Sequence, residues 1–232
     1  MSLGAETEKS VTSIPRQCQR DLPTIPRLRS LGAISVFALL MLLGATAQSK
    51  VVTYGTGLKS CEVYLVAKEQ QSADEVAFID WLSGYMSAAN SISNSVNNIL
   101  GDTNLLRATF WLDRFCHAHP QAQVAVALDL LVVGARSTVA RRTVDVTTYG
   151  VGFKSCSSYI TARQQQGADE SSFVDWLGGY LSAVNAFSLS TDNVLGNLDL
   201  TAAILWVDDY CQAHLGERFS SAAEARALAK NR

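Results

Sequence analysis

Phe78, Trp81, Leu82, Tyr85, Ala89 and Ile92 fall at i, i+3, i+4, i+7, i+11 and i+14. One unbroken apolar stripe at this period predicts an amphipathic helix over about 73–92. The stripe returns 95 residues later as Phe173, Trp176, Leu177, Tyr180, Val184 and Phe187. The pattern around the first stripe predicts three further helices. One spans about 58–70, with Cys61, Tyr64, Leu65 and Lys68 at helical spacing. Another spans about 103–118, turning Leu105, Ala108, Leu112, Phe115 and Cys116 inward. A fourth, with Pro120 in its first turn, runs to about Val133. Its counterpart, about 219–229, lacks the proline and is more polar. The Tyr-Gly-x-Gly segment before the first helix reads as a turn, and nothing reads as a strand.

The second stripe belongs to a duplication. Thr53-Tyr54-Gly55 through Lys59-Ser60-Cys61 matches Thr148-Tyr149-Gly150 through Lys154-Ser155-Cys156, and 35 of the 67 pairs between Thr53 and His119 are identical without a gap. Two copies of about 85 residues each make small domains rather than a solenoid. The organisation read from the sequence is 48–135 for copy one, a polar, basic linker over 136–147, and 148–232 for copy two. The expected fold class is all-α: two tandem small helical domains of three or four helices, each with one internal disulfide.

Four cysteines follow residue 47, two per copy, and each pair is 55 residues apart. Pairing Cys61 with Cys116 and Cys156 with Cys211 lets each copy close on itself; a cross-copy pairing is the alternative. A disulfide framework implies an oxidising compartment, and the N-terminus agrees. Five Lys and Arg residues precede Leu31–Ala47, an uncharged apolar run ending Ala45-Thr46-Ala47. This is the form of a secretory signal peptide over 1–47, with Gln48 as the mature N-terminus and the periplasm or exterior as destination. The long n-region suggests a translation start nearer Leu28. The alternative reading is an uncleaved anchor held by 31–47.

Charge narrows the choice of partner. From Gln48 onward the chain has 14 Lys+Arg and 18 Asp+Glu, net −4, with 48–142 at 0 and 143–232 at −4. No basic patch stands out, so nucleic acid is an unexpected partner. No cofactor or metal is expected either. Gly57-Leu58-Lys59-Ser60 lacks the further glycine and the preceding strand of a phosphate loop. Cys116 and His119 supply too few ligands for zinc, and the cysteine is expected to be oxidised. Asp80, Asp113, Asp175 and Asp208 lie near tryptophans, yet they are spaced as the solvent side of their helices, so no catalytic residue is assigned. Trp81, Tyr85 and Trp111 read as core.

Gly84 and Gly179 interrupt strong helices at a cost of about 1 kcal/mol each relative to Ala. We read Gly84 as a seat for another helix of its own copy. The alternative is that the two glycine-bearing helices meet in a pseudo-twofold pairing of the copies. The loops 93–102 and 188–197 have diverged while the helical stripe has not. Divergent loops on a preserved scaffold suit partner contact. The candidate partner-binding residues are Asn94, Asn97, Asn98 and Asp102 in copy one, and Asp192, Asn193 and Asn197 in copy two.

Ser60-Cys61 and Phe115-Cys116-His117-Ala118-His119-Pro120, with Trp-Leu-x-Gly-Tyr between them, resemble the small periplasmic one-disulfide helical proteins. That group includes the HdeA/HdeB acid-stress chaperones and the immunity proteins that neutralise type VI secretion amidase effectors. The likeness covers about 60–120 and 155–215 and departs in the duplication. It implies a non-enzymatic periplasmic protein that binds another protein: an effector for an immunity protein, an unfolded client for a chaperone. A cell-wall hydrolase is the remaining, disfavoured class.

Overall fold

The computed structural model describes residues 51–92, 98–99, 104–136, 146–188 and 193–229. The expected signal peptide, most of the linker, and Asn94, Asn97, Asp102 and Asp192 lie outside these residues. Copy one contains α1 (Cys61–Glu69), α2 (Ala73–Ile92), α3 (Leu105–Ala118) and α4 (Val124–Arg136). Copy two repeats them as α5 (Cys156–Gln165), α6 (Ala168–Phe187), α7 (Leu200–Ala213) and α8 (Phe219–Leu228). Among the described residues there is no strand. Isolated bridges join Ser60 to Gln123 and Ser155 to Arg218. No described helix is long and apolar enough to cross a membrane.

Side-chain caps account for the starts of four of the described helices. Ser60 and Ser155 cap α1 and α5, each accepting a bond from the N–H three residues on. Asn104 and Asp199 do the same for α3 and α7. Pro120 is not in the first turn of α4, which begins at Val124. It lies in the preceding turn, where its carbonyl accepts from the Glu62 N–H and helps fasten the start of α1. The expected turn before α1 is a 3-10 turn over Gly55–Leu58, with Gly55 at φ +63°, and Gly150 repeats it at φ +60°.

The disulfides pair within each copy, Cys61–Cys116 and Cys156–Cys211, with Cα atoms 4.8 Å apart in both. Each ties its copy's first helix to the end of its third. The copies are nevertheless not separate cores: their buried side chains form one apolar cluster within Ser49–Arg232.

The most extensive packing between any two elements is between α2 and α6, and it overturns the local reading of Gly84. A methyl on Gly84 would lie 1.9 Å from the carbonyl oxygen of Trp176, and one on Gly179 would lie 1.9 Å from that of Trp81. The two helices touch backbone to backbone, so only glycine fits. Other contacts repeat with the copies exchanged. The Tyr54 N–H donates to Ser182 Oγ and the Tyr149 N–H to Ser87 Oγ, both at 2.8 Å. Asn90 Nδ2 donates to the Thr147 carbonyl at 2.7 Å, and Asn185 Nδ2 to the Val52 carbonyl at 2.8 Å. Reciprocity of this kind is the mark of a twofold relation.

Candidate functional site

Two of the nominated loop residues are committed inside the molecule. Asn98 Oδ1 accepts from the Tyr149 hydroxyl at 2.8 Å, and Asn193 Oδ1 accepts from that of Tyr54. Each is thus held by the tyrosine of the other copy. Asn193 Oδ1 also accepts from the Leu195 N–H at 3.0 Å, which shapes its own turn. Asn197 is exposed at the end of that turn. The sequence reading passed over Asn90 and Asn185, the buried side chains that anchor these loops. Their Oδ1 atoms accept from the Ile99 N–H at 2.7 Å and the Val194 N–H at 2.6 Å. The available signal was an asparagine at the same position of both copies, inside an otherwise apolar helix end.

The aspartates are not solvent-side residues, which corrects the reading from spacing. Asp113 accepts from the Tyr64 hydroxyl at 2.6 Å and pairs with Lys68, its side chain only 17% exposed. In copy two Asp208 accepts from the Tyr159 hydroxyl at 2.6 Å and from Arg163 through Nε and a terminal nitrogen, both at 2.9 Å. These clusters fasten each copy's first helix to its third beside the disulfide. Burial, reinforced by the adjacent carboxylate, holds the Tyr64 and Tyr159 phenols well above the usual range, so both stay donors.

Asp80 and Asp175 face the seam between the copies. Burial raises the carboxyl of each above the usual range. Against burial, Ser172 and Lys154 favour the charged form of Asp80. The Thr56 hydroxyl, 2.9 Å from Asp175, and Lys59 do so for Asp175, while Asp80 and Asp74 oppose it. The symmetry breaks here. Val151 stands where Thr56 has its counterpart, and Asp80 Oδ2 is buried without a hydrogen-bond partner among the described residues. Asp129 on α4 is likewise raised by burial, with the Tyr85 hydroxyl opposing as its donor.

The remaining motif residues have structural occupations. Gly57 lies against the Trp81 indole, where a methyl would come within 2.1 Å of the ring. Trp81 and Tyr85 are core, whereas Trp111 is half-buried and stacks on Phe115. His119 packs on Phe115, and His117 Nδ1 is 2.8 Å from the Asp113 carbonyl. Among the described residues no group of three or more potential metal ligands converges.

Several exposed positions are apolar in copy one and polar or small in copy two. Val63, Val66, Leu106, Val126 and Leu130 are exposed in copy one. Ser158, Thr161, Thr201, Ser221 and Ala225 stand at the same places in copy two. The two copies share one helical scaffold, so copy two shows what that scaffold itself requires. The apolar residues at these positions of copy one exceed that requirement. Comparison with protein-family models, with curated proteins and with solved structures finds no match to this chain.

Proposed function

We propose that this chain is a non-enzymatic, exported protein-binding protein of the immunity-protein kind, built as a single-chain equivalent of a homodimer. The observation that carries the reading is the exposed apolar excess of copy one over copy two on a shared scaffold. The nominated carboxylates support it, because Asp113 and Asp208 bind tyrosines and basic side chains that join helices. A surface that recognises one partner needs a scaffold that keeps its shape, and two disulfides with a backbone-to-backbone helix contact supply one.

An acid-stress chaperone makes the opposite demand, since it must loosen and expose apolar surface as pH falls. Asp80, Asp129 and Asp175 work against that. Each is raised in the folded state, so the fold binds the proton more tightly than the unfolded chain does. Their stabilising contribution is present at low pH and is lost as pH rises through the folded value. Near-ultraviolet circular dichroism retained from about pH 7 down to about pH 4 is expected on this basis; loss of that signal with gain of dye binding would favour the chaperone. The binding role itself is tested by affinity isolation from the native compartment. One stoichiometric protein partner is expected, and recovery of a mixture of unfolded clients, or of none, would refute it. Mature protein beginning near Gln48 is the expected outcome of N-terminal sequencing, whereas intact chain in the membrane pellet would mean an anchor.

A further inference from the structure

We propose that the outward face of α3 docks an acidic protein surface offering an apolar socket for Phe110. The proposal rests on the protein-binding reading above and specifies the partner's chemistry. Leu106, Arg107, Phe110, Arg114 and His117 fall at i, i+1, i+4, i+8 and i+11, which places them on one side of a single helix. Ala108, Leu112 and Cys116 occupy the opposite, buried side. All five outward residues are exposed, Leu106 at 58% and Phe110 at 56%. Among the described residues neither Arg107 nor Arg114 takes part in an ion pair. The one acid on the helix, Asp113, is turned toward Tyr64 and Lys68. Leu106, His117 and Phe110 thus line one flank of this face, and the two arginines line the other.

Helix α7 serves as the control within the molecule. It has the same structural duties as α3: a capped start, a disulfide cysteine, a half-buried tryptophan, and an aspartate bound to a tyrosine and a basic residue. Its outward positions hold Thr201, Ala202, Leu205, Asp209 and Gln212, with one acid and no base. Folding thus does not require the arginines and the phenylalanine of α3. Aromatic and Arg side chains are the groups that dominate binding energy at protein interfaces, and the sign of the charge selects an acidic partner.

The test uses the full chain, produced in the organism that encodes it, with the photo-crosslinking residue benzoylphenylalanine at position 110 or at position 205. Position 110 is expected to give one adduct, with a protein carrying an acidic patch, and position 205 about tenfold less. Reversing both charges, Arg107→Glu with Arg114→Glu, is expected to lower the yield at 110 by about tenfold or more while leaving the melting temperature unchanged. Equal adducts at 110 and 205, or no loss on charge reversal, would overturn the proposal. So would charge-dependent binding of the chain to phosphatidylglycerol vesicles or to duplex DNA in place of a protein adduct. A partner retained on an affinity column with no adduct at 110 would refute this face and leave the protein-binding reading standing. Retention of no partner at all would remove both.

Discussion

Asp80 and Asp175 occupy equivalent places in the two copies, yet Asp80 keeps one buried oxygen without a partner among the described residues. Thr56 donates to Asp175, while its counterpart Val151 leaves Asp80 Oδ2 buried and unpaired. Val151→Thr should transplant the missing hydroxyl and raise stability by about 1 kcal/mol, read from denaturant midpoints at constant m-value. An unchanged or lowered midpoint would show that the hydroxyl does not reach Asp80. The sign of the burial effect leads to a second expectation. Charged Asp80 is penalised in the folded state, so Asp80→Asn should raise the melting temperature at pH 7.5. Because the wild-type carboxyl takes up its proton on acidification, the difference should shrink as pH falls. A gap that widens toward acid would mean the carboxylate is stabilised by its neighbours instead. Helical periodicity could not reveal any of this. It marks which residues leave the apolar stripe, but not that the other copy covers them.

The glycines of the α2–α6 pair show how far helix patterning reaches. Gly178 and Gly179 are adjacent in α6, and a simple propensity argument treats them alike. In the fold, a methyl on Gly179 meets the Trp81 carbonyl oxygen at 1.9 Å, whereas one on Gly178 has nothing nearer than 3.7 Å. Gly178→Ala should therefore stabilise the chain by about 0.5–1 kcal/mol through helix propensity. Gly179→Ala should force two backbones apart and cost about 3 kcal/mol or more. Thermal denaturation of the two variants decides the matter: shifts of the same sign would contradict the backbone contact. Helix extents were otherwise legible, with α2 spanning 73–92 as its stripe indicates. Placing Pro120 inside α4 failed because that proline serves the start of α1, a long-range duty that helix-start statistics do not register.

At the scale of the molecule, each disulfide closes a 55-residue loop, worth about 4 kcal/mol on the chain-entropy estimate. Because the copies share one apolar cluster, loss of one bridge should be felt by both. Replacing Cys156 and Cys211 with Ala is expected to lower the stability of the whole unit, with copy-one and copy-two probes still melting together. Tryptophan fluorescence from variants retaining only Trp81 or only Trp176 would report this. Two separated transitions would show that each copy folds on its own. The copies also differ on their outsides: copy one exposes valines and leucines whose counterparts in copy two are polar or small, and it carries the two arginines that the docking proposal uses.

The sequence by itself determined the duplication, the all-helical class and the main helix boundaries, and it favoured the cysteine pairing within each copy that the structure shows. All of these depend on spacing along one chain: a 3.6-residue period, a 95-residue shift, and a 55-residue interval found twice. The identity of the partner across each buried face was left to the tertiary structure. A stripe that packs on its own copy and one that packs on the other copy have the same periodicity, so Gly84 could be read either way. Asn98 and Asn193 looked free for a partner because polar loop residues that bond within the molecule and those offered outside it have the same composition. Only the fold brings Tyr149 and Tyr54 to them, because the backbone contact at Gly84 and Gly179 sets the two halves of the molecule face to face.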